Sequence, residues 1–66
     1  MNNRIRSIRV SKGISQEQLA NSVGITRQYL SEVENSKKIP SIKLAYLIAN
    51  YLEEPVENIF YLCEGI

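Results

Sequence analysis

Apolar and polar positions alternate along this chain with the period of short helices, and each run ends at a residue that stops one. Ile5 and Ile8 share one face of a segment from about Asn3 to Lys12, and Gly13 suits the left-handed position after it. Ser15 opens a second helix: in S-x-x-Q its hydroxyl can cap the Gln18 N–H while the Gln18 side chain reaches back. Leu19, Ala20 and Val23 form the apolar face of that helix, and Gly24 ends it. Thr26 is the next N-cap, with Leu30 and Val33 as the inward stripe of a third helix. Asn35 to Pro40 is a polar, basic loop in which Pro40 holds Ile39 extended. Ser41 caps a fourth helix, where Leu44, Ala45, Leu47, Ile48, Tyr51 and Leu52 make a wide core-facing stripe. Pro55 and Glu57 suit the start of a short fifth helix over Val56 to Phe60. Only the ends of the chain are open to an extended conformation, so the pattern predicts an all-α, five-helix domain.

The stretch Gln16 to Asn35, QEQLANSVGITRQYLSEVEN, joins two helices by a very short turn. Ala20 is small where the helices must approach, Gly24 can take the positive φ that the turn needs, and Ile25 can plug the gap between them. One small residue, one glycine and one apolar residue at these offsets specify a helix-turn-helix. If Leu30 and Val33 point inward, Gln28, Ser31, Glu32 and Asn35 point outward, with Arg27 and Glu34 on one flank and Tyr29 on the other.

That outward face carries side chains that read base edges. Arg27 can be bidentate to guanine and Gln28 to adenine, Ser31 lies on the same face, and Glu32 can accept from a cytosine amino group or repel wrong sequences. Tyr29 is a base-reading candidate that could touch a thymine methyl or a phosphate, or else cover the core edge. Phosphate contacts are expected from Gln16 and Thr26 at helix starts, where free N–H groups attract anions, and from Asn35, Lys37 and Lys38 after the third helix. The plainer reading of these residues is a solvated helix face and a solubilising loop.

Charge strengthens the polyanion reading. Residues 1–38 hold seven cations against three glutamates, a net +4, while residues 39–66 hold Lys43 against four glutamates, a net −3. With 66 residues, one cysteine, and neither histidine nor aspartate, a zinc site or a nucleophile–histidine pair cannot be built within one chain. The expectation is one non-enzymatic domain over residues 1–66, with no metal, no cofactor and no ligand pocket arguable at this length. No apolar run has the length of a membrane span or the form of a signal peptide, so the chain reads as soluble and cytoplasmic, at the nucleoid.

The segments KGISQEQLA, VGITRQYLSEVENSKK and IPSIKLAYLIA, and with them nearly the whole chain to about Phe60, resemble the phage repressor and Cro-type regulators of the XRE family. That resemblance implies a compact five-helix domain that binds double-stranded operator DNA as a symmetric homodimer, and a repressor as the commonest role. It implies a partly buried salt bridge between Arg9 and Glu34, although Arg9 on its own could be a phosphate contact. One departure is Ser36, where the family usually has glycine, and Asn35 is then expected to take the left-handed position. The tail Ile59-Phe60-Tyr61-Leu62-Cys63 is too apolar to be solvated on a monomer: it could close the core or form a dimer patch. The resemblance favours dimerisation through residues 55–66. The alternative function is an antitoxin-like protein-interaction module with secondary DNA binding, disfavoured because so little chain follows Phe60.

Overall fold

The computed structural model describes residues 2–61. Its elements are β1 (Asn2–Asn3), α1 (Ile5–Ser11), α2 (Gln16–Val23), α3 (Arg27–Glu34), α4 (Ile42–Leu52), α5 (Val56–Ile59) and β2 (Phe60–Tyr61). Three hydroxyls start three of the helices. Ser15, Thr26 and Ser41 sit in extended backbone and accept from the N–H groups of Gln18, Tyr29 and Leu44 at 3.0, 3.0 and 3.1 Å. Each such cap is worth about 1 kcal/mol.

The helices enclose one core. Ile5, Leu19, Leu30, Val33, Ile48, Leu52 and Ile59 are fully buried, and each contributes about 1.5–3 kcal/mol by leaving water. α2 packs against both α3 and α4, so the α2–α3 pair is braced on one side by α4. The pattern of apolar positions located this core well, with two exceptions on α4: Ala49 is buried, and Leu47 is exposed.

The chain ends depart from the expected elements in an informative way. Asn3 does not begin α1: β1 pairs antiparallel with β2, Asn2 opposite Tyr61 and Asn3 opposite Phe60. The Asn3 side chain accepts from the Ile5 N–H at 3.1 Å and donates to the Val33 carbonyl at 2.8 Å, so it satisfies the helix start and ties the strand to α3. Phe60 likewise leaves α5 for an extended conformation, φ −109° and ψ 132°. Two further local expectations fail. Gln18 does not reach back to Ser15, because its amide donates instead to the Tyr51 hydroxyl on α4 at 3.1 Å. Asn35 stays at φ −89°, and Ser36 itself takes the left-handed position at φ 63°.

Candidate nucleic-acid interface

The turn between α2 and α3 is set by backbone chemistry. Gly24 holds φ 77°, and the Ile25 N–H folds back to the Ala20 carbonyl at 3.0 Å. Ala20 is fully buried, and Ile25 is half-buried against the core. With Leu30 and Val33 buried, the rest of α3 is left on the surface.

At the start of α3, Arg27 and Gln28 are exposed, and among the described residues neither side chain has a hydrogen-bond partner. Their donors and acceptors are free to meet base edges or phosphates. Ser31 and Glu32 are half-buried further along the helix. Ser31 is already engaged: the Asn35 side chain donates to its carbonyl at 2.9 Å and to its hydroxyl at 3.4 Å. Tyr29 is half-buried and packs against the core, which matches the core-cover alternative.

The end of α3 is wound tightly. The Ser36 N–H donates to the Val33 carbonyl, and the N–H groups of Lys37 and Lys38 both donate to the Glu32 carbonyl, at 3.0, 2.8 and 3.3 Å. This fixes the backbone of the two lysines directly behind the helix, while both residues remain exposed. Thr26 is exposed with its hydroxyl oxygen engaged as the cap, so its proton is still available to a phosphate. Gln16 is half-buried and less free than the sequence suggested: its amide nitrogen donates to Glu34 at 3.1 Å.

Glu34 is the centre of a buried network. Arg9 Nε donates to Glu34 Oε2 at 2.9 Å and Arg9 Nη2 to Glu34 Oε1 at 3.4 Å, with the two side chains only 10% and 3% exposed. Arg9 Nη1 also donates to the Ile14 carbonyl at 2.9 Å. Three donor groups of the guanidinium are thus engaged inside the protein, which makes Arg9 a tie between α1, the α1–α2 loop and α3 rather than a phosphate contact. Among the described residues no buried side-chain nitrogen or oxygen lacks a partner. The Gln16 and Ile14 connections were missed at the sequence level, since only the fold brings these loop atoms to the pair.

The apolar tail needs correction as a dimer patch. Ile59, the last residue of α5, is fully buried and Phe60, the first of β2, is nearly so; both belong to the core. Tyr61 is exposed beneath the Arg4 guanidinium, 5.4 Å from its ring centroid. Leu62 and Cys63 lie outside the described residues. Among the described residues no three metal-ligating side chains cluster, and no helix is long and apolar enough to cross a membrane.

Comparison with known proteins matches these elements closely. A helix-turn-helix family model matches residues 5–59. An uncharacterized HTH-type transcriptional regulator of Bacillus subtilis, YgzD, is 36% identical over 64 residues, covering 97% of both chains. The restriction-modification controller protein C.AhdI of Aeromonas hydrophila superposes with a TM-score of 0.80 at 33% identity, over 86% of each chain. SinR, described as the master regulator for biofilm formation and solved in complex with DNA, superposes with a TM-score of 0.73 at 33% identity, over 80% of this chain and 86% of that one.

Proposed function

Because the chain belongs to the helix-turn-helix family of transcriptional regulators, we propose that it is a sequence-specific repressor that binds a pseudo-palindromic operator as a homodimer. The observation that carries this reading is the pair Arg27 and Gln28, exposed and unpartnered at the start of a helix whose opposite face is locked into the core. A helix presented in this way enters the major groove with its first residues against the base edges. Arg27 and Gln28 make the base contacts, Glu32 adds a contact or a penalty further along, and Ser31 contributes through the hydroxyl that Asn35 steadies.

Phosphates on either side are held by the Gln16 and Thr26 helix starts and by Lys37 and Lys38. A single motif of this size buries too little for tight specific binding, and two motifs about 34 Å apart, one turn of the duplex, double the contacts. Binding then occludes a promoter, with no cofactor and no catalytic step, in the cytoplasm at the nucleoid. Selection of bound sites from random duplex DNA tests the proposal. Enrichment of two inverted half-sites about one helical turn apart is expected, and the absence of any enriched sequence would overturn it.

A further inference from the structure

The last carbonyls of α3 have no partner within the helix and must find donors elsewhere. Those of Ser31 and Glu32 are served by Asn35, Lys37 and Lys38, which follow directly in the chain. The Val33 carbonyl takes two donors, the Ser36 N–H at 3.0 Å and the Asn3 side-chain nitrogen at 2.8 Å. Asn3 lies in β1, 30 residues away. Its other amide atom, Oδ1, accepts from the Ile5 N–H at 3.1 Å. These two partners fix the amide's orientation, since a flip would set donor against donor and oxygen against oxygen. The position therefore needs a short side chain with an acceptor and a donor side by side, which is asparagine.

We infer that Asn3 is a positioning residue for base reading, holding the end of α3 through the Val33 carbonyl. α3 has eight residues and is about 12 Å long, so a tilt at one end is felt at the other. Its start is set by the tight turn, where the Ile25 N–H returns to the Ala20 carbonyl. Its end is tied at two adjacent residues from two different elements. Arg9 of α1 grips the Glu34 side chain, while Asn3 of β1 draws on a backbone carbonyl, which points along the helix axis.

β1 is itself held in place. Asn3 pairs with Phe60 of β2, and the Arg4 N–H donates to the Ile59 carbonyl at 2.7 Å. Ile59 and Phe60 are buried, so Asn3 links α3 to a strand pair anchored in the core. Base contacts require placement to within roughly 0.5 Å, and that precision comes from the supports behind the contacting residues. The inference rests on the operator reading, because it assigns Asn3 to the precision with which Arg27 and Gln28 meet base edges.

Asn3→Ser and Asn3→Asp both keep an oxygen for the Ile5 N–H and remove the donor to Val33. Affinities of the full chain are measured well below Tm, at one salt concentration, on a selected site and on random duplex. The ratio of the two affinities cancels the charge that Asp adds and any loss of global stability. It should fall about three- to tenfold in each variant, the range that one net hydrogen bond carries. Amide exchange of the free protein is the second readout. Asn35 and Ser36 at the end of α3 should exchange at least fivefold faster, while Ile48 and Ala49 in α4 change little; a global loss of stability would speed all four. An unchanged affinity ratio in both variants would overturn the inference, and so would exchange that rises uniformly or not at all. If the wild-type chain prefers no sequence, the operator reading fails, and the exchange pattern alone decides whether Asn3 holds α3.

Discussion

Arg9 and Glu34 stand 25 residues apart in the chain and 2.9 Å apart in space, joined inside the protein at the meeting of α1 and α3. A charge pair so nearly dry does not behave like a surface ion pair. Removing one partner strands the other in a low dielectric, at a cost of about 3–5 kcal/mol. That is a large part of the stability of so small a domain.

Arg9→Met and Glu34→Leu should therefore each destabilise strongly, and the double variant should recover part of the loss. A double-mutant cycle followed by denaturant unfolding measures the coupling. A coupling energy below about 0.5 kcal/mol, with both single variants near wild-type stability, would reduce the pair to surface charges.

Among the described residues two that are not glycine hold left-handed backbone, Ser36 at φ 63° and Glu53 at φ 58°. This conformation costs an ordinary residue roughly 1–2 kcal/mol, part of which glycine returns through its freer unfolded chain. Ser36→Gly and Glu53→Gly should each gain about 0.5–1 kcal/mol, read as a rise of several degrees in Tm. Gly24→Ala at φ 77° should do the reverse, although no atom within 4 Å would meet the added Cβ. A fall in Tm for both glycine substitutions would contradict this account.

Lys38→Ala should weaken binding to every DNA sequence by a similar factor. Its mark is the salt dependence: the slope of log K against log salt should shrink by about 0.9 for each phosphate that Lys38 neutralises. An unchanged slope on both selected and random duplexes would remove Lys38 from the phosphate set.

Much of this fold was legible in the sequence because short-range chemistry encodes it. The Ser15, Thr26 and Ser41 caps and the turn glycine Gly24 each announce a helix boundary within a few residues. What was not legible depends on distant partners. Gln18 follows the capping-box pattern, yet its amide is drawn to Tyr51, 33 residues away. Phe60 has an apolar side chain suited to either a core or an interface, and only the pairing of β1 with β2 turns it inward. Ile42 and Tyr46 fall outside the core-facing stripe that the helical period picks out on α4, and the packed fold leaves both exposed. In the candidate site, Arg27 and Gln28 follow from helical period alone, whereas the hold of Glu34 on Gln16 requires the packed fold.

If the exposed start of α3 reads bases, Gln28→Ala must separate specific from non-specific binding. Affinities of the wild type and the variant are measured at one salt concentration on a selected site and on random duplex. The expected result is a loss of about 1–3 kcal/mol on the selected site, relaxed preference at one base position and little change on random DNA. An equal loss on both duplexes would contradict it, because Gln28 would then be a backbone contact and the base-reading face would lie elsewhere.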